Sequence, residues 1–171
     1  MKRAALLAYL FALSAPAAAQ PPGETTGPIV SQSERDAIAA RVRDGAACAG
    51  CDLFQAELAY HDISARDFSG SRLRQAELSL VTADRTRFRR ANLSVANLFG
   101  GRFSNADFTE ANLSRGIGVG GYFAGARFDS ARIEGMNFSG AELAHAIGLT
   151  QAQLDTACGD ASTTLPPGMT I

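Results

Sequence analysis

The sequence predicts an all-β protein, a solenoid of stacked four-sided coils with a short helix at each end. A large apolar residue recurs at almost every fifth position from Leu53 to Leu143, a period that fits neither an α-helix nor a simple strand. A small residue, most often Ala, stands two positions before most of these large residues. Residues of one type also recur every twenty positions. A repeat this regular outweighs any helix or strand assignment made from a single window.

Each five-residue unit is expected to form one side and one corner of a coil. Residues two apart on an extended stretch face the same way, so the small and the large residue point inward and the polar residue between them points outward. The remaining two positions are rich in Ser, Gly, Thr and Arg, and we expect them to turn the chain. Seventeen of the 19 large positions hold Leu, Ile or Phe, which is enough to fill a continuous apolar interior.

The period of twenty sets the number of sides at four. At this period one column of large residues holds only Phe and another only Leu and Ile, whereas a period of fifteen mixes the types. The segment 48–148 is therefore expected to form about five coils, each rising by about 4.8 Å. The phenylalanine column, which we expect to form a core ladder, consists of Phe68, Phe88, Phe108 and Phe128.

Two large positions depart from the pattern. Ala83 is small, but Val81 at the paired inward position is larger than usual and is expected to refill the space. Gly118 and its paired small position are both glycine, and we expect a local bulge of the chain there. Met136 and Phe138 lie one coil later and are expected to lean into the resulting gap.

Helices are expected to cover the two ends of the stack, because a solenoid otherwise exposes apolar cross-sections and unpaired edges. The segment 33–47 is predicted as an N-terminal capping helix with Ser33 as its N-cap. The segment 149–159 is predicted as a C-terminal capping helix, with a capping box formed by Thr150 and Gln153. Residues 160–171 are predicted as a loose tail. 

The N-terminus has the order of a secretory signal peptide. Residues 1–19 contain a charged start, an apolar run and a small-residue cleavage site, and residues 20–32 are predicted as a linker. No later stretch approaches the roughly 18 apolar residues of a membrane span. We therefore expect a periplasmic or secreted protein without a membrane span.

The charge composition does not favour a nucleic-acid partner. Without Lys2 and Arg3, the 16 basic residues fall to 14 against 17 acidic residues, a net charge of −3. Residues 51–145 contain 11 Arg and 11 acidic residues. A basic footprint for nucleic acid and a strongly acidic surface are both absent from this sequence.

The three cysteines do not form a metal or cofactor motif. Cys48 and Cys51 are close enough for a disulfide, and free thiols are the open alternative. Cys158 is expected about 20 Å or more away, at the other end of the stack. Covalent haem attachment requires His after the second Cys, where Asp52 stands, and a structural zinc site would lack two ligands. We expect no bound cofactor or metal.

Catalytic motifs are also missing from the sequence. Its two histidines, His61 and His145, are predicted at opposite ends of the stack. The sequence contains no Ser-His-Asp set, paired-carboxylate signature or phosphate-binding loop. It therefore argues against an enzyme and leaves the surface of the coil as the place to look for function.

One side of the predicted coil combines several outward apolar residues. Clustered exposed apolar groups more often mark an interaction site than scattered ones do, although turn residues that fold flat on the wall are the alternative. The predicted protein-binding face consists of Tyr60, Leu80, Phe99 and, near the glycines, Ile117 or Val119. A cluster of arginines forms a second surface feature, but acidic residues lie beside it, which weakens an anion-binding interpretation. It comprises Arg85, Arg87, Arg89 and Arg90, with Asp67, Asp84, Asp107 and Glu110 nearby.

The motif Ala-Asn-Leu occurs at 91–93 and again at 96–98, and this repeat resembles that of the pentapeptide repeat family. The phrases at 106–108 and 111–113 follow the same pattern, and the resemblance covers about residues 51–145. It implies a right-handed quadrilateral β-helix. Together with the surface pattern, it favours a non-catalytic exported protein that acts as a protein–protein interaction module or a structural scaffold in the cell envelope, with a protein partner or a second copy as ligand.

Two other functions stay open as alternatives. Some members of the family resemble B-form DNA and inhibit DNA gyrase, but that activity requires a cytoplasmic, strongly acidic rod. A thiol-redox protein using Cys48 and Cys51 is the less favoured alternative, because a thioredoxin-type pair begins a helix and Cys51 is predicted to begin a strand.

Overall fold

A computed structural model of the chain describes residues 30–171. The predicted signal peptide, 1–19, and residues 20–29 of the predicted linker lie outside the described residues.

The body of the protein is a β-helix in which residues twenty positions apart pair in parallel. The bridges form four columns that begin at Asp52, Glu57, Asp62 and Asp67, and each bridge is a single residue pair, such as Asn92 with Asn112. One coil therefore takes twenty residues and has four sides. The predicted β-helix is confirmed. Coils 1 to 5 begin at residues 51, 71, 91, 111 and 131, and the four successive pentads of each coil are called sides 1 to 4.

Asp and Asn occupy the second position of the pentad, between the small and the large residue, because their side chains hold the corner that follows. The Oδ1 atom of Asn112 accepts a hydrogen bond from the backbone N–H of Ser114 at 3.0 Å, and Asp67 accepts one from Ser69 at 2.9 Å. The same bond recurs in most coils. A short side chain that reaches the N–H two residues on forms an Asx turn, which is the physical reason for this residue preference.

The last residue of each pentad lies in the left-handed region of backbone space. Within residues 30–171, twelve non-glycine residues have a positive φ, and all of them occupy this fifth position. Val95, with φ of 59°, is the β-branched member of the set. Such a residue is strained by about 1–2 kcal/mol, because its Cβ approaches the following carbonyl oxygen.

Stacked aromatic rings fill two sides of the interior. On side 4, ring centroids are 5.6 Å apart for Phe68 and Phe88, 5.2 Å for Phe88 and Phe108, and 5.3 Å for Phe108 and Phe128. On side 3, the rings of Phe103 and Phe123 stack at 5.1 Å. All six rings are fully buried. Offset stacking at these distances adds about 0.5–1.5 kcal/mol per pair to the effect of burial.

The core exchanges volume between paired positions. Gly121 leaves room for the ring of Phe123, because a Cβ atom there would lie 2.7 Å from Cε2 of that ring. In the pentad 81–85 the sizes are reversed. Val81 is larger than usual at the small position, Ala83 is smaller than usual at the large position, and both are buried. The interior stays filled because each pair conserves its combined volume.

The expected bulge at Gly118 is wrong, although the expected filling of the gap is confirmed. Ile117 pairs with Asn97 below and Asn137 above, so the register continues unbroken. A Cβ atom on Gly118 would lie 2.7 Å from Cε of Met136 and 3.3 Å from Cδ1 of Phe138. The two later side chains occupy the volume, and since the backbone ladder does not depend on side-chain size, the chain has no reason to bulge.

Helix α1, Gln32–Arg43, packs on the first coil. Its N-cap is Ser31, which forms a capping box with Glu34, so the predicted range of 33–47 and the predicted N-cap Ser33 are both wrong. Glutamate reaches back to the backbone N–H of the N-cap residue, at 2.8 Å, and this reciprocal bond fixes the start of the helix. Val42 is fully buried in the common core, and its carbonyl accepts a hydrogen bond from Arg66.

Helix α2, Gln151–Leu154, follows the fifth coil. Thr150 and Gln153 form the expected capping box, but the helix has only four residues and a C-cap at Asp155, so the predicted end at 159 is wrong. Leu154 is fully buried. Within residues 30–171, no helix is long and apolar enough to cross a membrane.

The C-terminal segment continues the stack. Cys158 pairs with Asn137 and Thr164 pairs with Glu142, at sequence separations of 21 and 22 in place of twenty. The prediction of a loose tail over 160–171 is therefore wrong for its first part, because α2 shifts the register by one or two residues without ending the parallel pairing.

The filled gap at Gly118 predicts a non-additive pair of substitutions. Gly118→Leu should destabilise the protein by about 1–3 kcal/mol through overpacking against Met136, and Met136→Ala should cost about 2–5 kcal/mol by opening a cavity. The double variant should be more stable than the sum of the two effects predicts, because the new leucine fills the space that the methionine leaves. Urea unfolding followed by circular dichroism measures all three, and strict additivity would contradict this packing.

The corner hydrogen bonds predict a loss of stability in acid. Hydrogen bonds from Ser64 and Ser69 lower the pKa values of Asp62 and Asp67. With folded pKa values below the unfolded value of about 3.9, the stabilisation is present above about pH 4 and is lost as the pH falls through the folded pKa. The melting temperature should therefore decrease below about pH 4.

Asparagine keeps the acceptor oxygen of these corners but cannot take up the proton. The double variant Asp62→Asn, Asp67→Asn should show a shallower decrease of melting temperature with acid, measured by circular dichroism from neutral pH downward. Asp44→Asn is the control for the effect of a lost negative charge, counted per charge removed, since the Asp44 side chain makes no hydrogen bond within residues 30–171. Equal slopes for the double variant and the unchanged protein would refute the assignment.

Candidate functional site

The predicted apolar face lies along the corner between sides 2 and 3. Tyr60, Leu80 and Phe99 follow one another on coils 1, 2 and 3, while Ile117 and Val119 both lie on coil 4. The side chain of Tyr60 is 76% exposed, and those of Leu80, Phe99 and Ile117 are 44–47% exposed, whereas Val119 is half-buried. These five residues are called the apolar ridge, and at about 4.8 Å per coil they extend over roughly 15 Å.

The backbone of the corner presents this ridge. Tyr60 and Leu80 are fifth-position residues with φ of 63° and 54°, and the same column continues as Gly100 and Gly120. Leu80 lies over Gly100, because a Cβ atom built on that glycine would be 2.8 Å from Cδ2 of Leu80. The glycines thus leave the upper part of the corner flat, and the larger side chains of coils 1 to 3 protrude beside it.

Tyr122 is a sixth apolar side chain on this corner that sequence reasoning missed. It is exposed and lies on side 3, three residues after Val119. Its outward second position in the pentad was the available signal, but the prediction used only the columns of side 2. Val95 and Ile147 are similarly exposed, but they lie on sides 1 and 4 and are not part of the ridge.

Carboxylates on side 2 accompany the ridge. The pentads of side 2 contain Glu57 and Glu77 and no basic residue. Burial alone would raise the pKa of Glu77, but hydrogen bonds from Ser79 and Asn97 outweigh it and hold the pKa below its usual value. The amide of Asn97 donates to Oε2 of Glu77 at 2.9 Å. The ridge therefore borders a negatively charged wall at neutral pH.

An open cleft of about 840 Å³ separates α1 from the lower part of side 2. Asp36, Arg43, Glu57 and Glu77 line it with several glutamines, and Arg43 donates to the carbonyl of Glu57 at 3.1 Å. Among residues 30–171, no group of three or more His, Cys, Asp or Glu side chains could hold a metal ion.

Most arginines of the predicted basic cluster form ion pairs with carboxylates of a neighbouring coil. Arg87 pairs with Asp67 at 3.0 Å, and Arg90 pairs with Glu110 at 2.8 Å. Arg89 reaches Asp107 at 3.2 Å. Ion pairs between exposed side chains contribute only about 0–1 kcal/mol each, but here they cancel the local positive charge.

Cys48 and Cys51 form a disulfide with Cα atoms 5.4 Å apart. The bridge spans the corner at Gly50, where the parallel ladder begins, and Cys48 is buried. Cys158 is free and exposed at the opposite end of the stack. The histidines also lie far apart, on coils 1 and 5, and Nδ1 of His61 lies 2.6 Å from the carbonyl oxygen of Ala59.

The model of the pentapeptide repeat family matches the chain over residues 62–98 and 76–115, with eight copies of the repeat. Among curated proteins, none matches the sequence.

Several solved structures are similar to this chain. A pentapeptide repeat protein from the thylakoid lumen of Arabidopsis thaliana is 24% identical, with a TM-score of 0.54 over 67% of this chain and 75% of the other. HetL from the cyanobacterium Nostoc, involved in heterocyst differentiation regulation, is 20% identical, with a TM-score of 0.40 over 70% and 62%. QnrB1, a plasmid-mediated fluoroquinolone resistance protein, is 16% identical, with a TM-score of 0.33 over 65% and 78%.

The first of these likenesses shows the shared fold, and the matched repeats carry the alternation of small, polar and large residues that builds the coils. Residues 62–115 therefore belong to the pentapeptide repeat family, as the resemblance of the sequence indicates.

Proposed function

We propose that this protein is a non-catalytic, exported interaction module that binds a protein partner, or a second copy of itself, through the apolar ridge. The observation that carries the proposal is the exposure of Tyr60, Leu80, Phe99 and Ile117 along one corner. Side chains of this size seldom cluster on a soluble surface without a binding role. Aromatic residues also supply much of the binding energy at protein interfaces.

The shape of the molecule suits this role. We propose that the protein is a right-handed quadrilateral β-helix of about five coils, closed at its ends by α1 and α2, whose walls are flat and rigid. Backbone hydrogen bonds between coils hold the ridge in place, such as the one from the N–H of Leu80 to the carbonyl of Phe99 at 2.8 Å. Binding would therefore immobilise few additional groups, and the entropic cost of association would be small. The same rigidity would suit a scaffold of the cell envelope.

Export is proposed from the N-terminal sequence. The charged start, apolar run and small residues of 1–19 are typical of a secretory signal peptide. A periplasmic or secreted location also favours the Cys48–Cys51 disulfide, because oxidising compartments preserve such bonds. Cell fractionation followed by the mass of the mature chain tests this part of the proposal.

Charged substitutions on the ridge should abolish association without unfolding the protein. In the double variant Leu80→Glu, Phe99→Glu, burying two carboxylates in an interface should weaken binding by at least about tenfold. Both positions are partly exposed, so the melting temperature should stay within a few degrees. Sedimentation velocity measures self-association, and pull-down from the periplasmic fraction measures binding of a partner.

Ile147→Glu is the matched control, because Ile147 is as exposed as Phe99 but lies on side 4. Association that survives the ridge variant, or that the control weakens equally, would exclude the ridge as the binding site. A gyrase supercoiling assay with the purified protein tests the alternative function. Inhibition of gyrase would favour a topoisomerase-directed function over protein binding through the apolar ridge.

A further inference from the structure

A second surface, on side 1, has the chemistry of an anion-binding groove. A shallow depression of about 390 Å³ runs along the corner between sides 1 and 2, over coils 2 to 5. Arg74 lies at its lower end, Arg115 and Arg132 lie at its upper end, and Asn112 and Val95 lie between them. This surface is called the arginine groove.

Asn112 supplies a hydrogen-bond donor that the fold leaves unused. Its side chain is only 9% exposed, and its Oδ1 accepts hydrogen bonds from the backbone N–H of Ser114 at 3.0 Å and from the Ser114 hydroxyl at 2.7 Å. These two bonds fix which end of the amide is oxygen. The Nδ2 group donates to no acceptor within residues 30–171 and is not among the buried, unpartnered polar atoms, so an external acceptor can reach it at the surface.

Two of the three arginines of the groove are not neutralised as those of side 4 are. Arg74 and Arg115 form no ion pair with any acidic side chain of the described range. Arg132 approaches Glu134 only to 3.8 Å. The stem of Arg115 lies against Gly135, 3.6 Å from where a Cβ atom would stand, which positions the guanidinium group at the rim of the groove.

Backbone strain coincides with this groove. Val95 keeps a positive φ of 59° and a partly exposed side chain. A β-branched residue in this conformation is disfavoured where Gly or Asn would fit, and such strain tends to persist at functional sites. Here it places an apolar side chain between the two groups of guanidinium charges, where a ligand with a hydrocarbon portion would contact it.

The charge of the coil is divided between its walls. The pentads of side 1 contain four arginines and two acidic residues, whereas those of side 2 contain two glutamates and no basic residue. The repeat segment is neutral as a whole because these walls cancel. Side 1 alone therefore presents a positive field to an approaching ligand.

We propose that the arginine groove binds an extended segment of a partner protein that carries two or more carboxylates. Guanidinium groups pair with carboxylates through two parallel hydrogen bonds, and Asn112 adds a fixed donor between them. Arg74 and Arg115 lie two coils apart, roughly 10 Å, which an extended peptide covers in about three residues. A peptide can place its carboxylates opposite Arg74 and Arg115 and uncharged residues opposite Glu134, whereas a phosphate polymer carries a charge at every unit, so an acidic peptide is the better ligand.

Hexaglutamate peptide carrying a fluorescent label is the probe for this site. Fluorescence anisotropy at low ionic strength should detect binding to the purified protein, and added salt should weaken it. Arg115→Gln and Asn112→Asp should each weaken binding by about tenfold, because each removes a hydrogen bond to a carboxylate. Hexaglutamine of the same length should not bind.

Arg85→Gln is the matched control. Arg85 is also an exposed fifth-position arginine with φ of 56°, the same value as Arg115, and it forms no ion pair within residues 30–171, but it lies on side 3. This control should retain full affinity, as should the ridge variant Leu80→Glu, Phe99→Glu. Circular dichroism checks that each variant is folded, and the exposed site of Arg115→Gln ensures that at least one is.

Three outcomes would overturn the proposal. One is the absence of saturable hexaglutamate binding at low ionic strength. Another is an equal loss of affinity in Arg85→Gln and Arg115→Gln, which would indicate a diffuse charge effect and no groove. The third is tighter binding of a single-stranded oligonucleotide than of hexaglutamate, with the same dependence on Arg115, which would assign the groove to a phosphate polymer.

Discussion

Parallel backbone pairing at a separation of twenty residues is the constraint on which this structure depends. Leu93 donates to the carbonyl of Asn112 at 2.7 Å, and Asn112 donates to the carbonyl of Ala91 at 2.9 Å. Every side chain therefore lies directly over its counterpart one coil away. Stacked phenylalanine rings tolerate that arrangement well inside the coil, and on side 4 alternating carboxylate and guanidinium groups do so outside, as in the column of Asp67, Arg87, Asp107 and Arg127.

This pairing made the fold predictable from the sequence. The large residue inside each pentad, the Asp or Asn of the Asx turn and the period of twenty all follow from one repeated hydrogen-bond pattern. The bulge expected at Gly118 was wrong because the ladder uses backbone atoms alone. The helix start was wrong because Ser31 and Ser33 are each followed three residues later by an acidic residue, and only the longer Glu34 completes the capping box.

The surface was less predictable than the core. Whether an outward residue protrudes depends on its neighbours in adjacent coils, as Leu80 over Gly100 shows. The apolar residues of side 2 could be assembled by counting columns, but Tyr122 belongs to the next column round the corner. Asn112 looked like any other Asx residue, and its unused amide became visible only when the partners of its oxygen were known. The sequence likewise did not show which arginines are free to bind an anion, because that depends on which carboxylates lie within ion-pair distance of them.

The left-handed corner residues connect sequence length to the orientation of the walls. Because each corner ends one pentad, deleting five residues would move everything beyond the deletion a quarter of the way round the axis, whereas deleting twenty would shorten the rod and leave every wall facing its former direction. A family that gains or loses whole turns can therefore alter the spacing of its binding surfaces without changing their angular relation. Loss of a single pentad would break the apolar ridge into two patches that face different directions, and this sets a far stricter limit on small length changes than the stability of the coil itself.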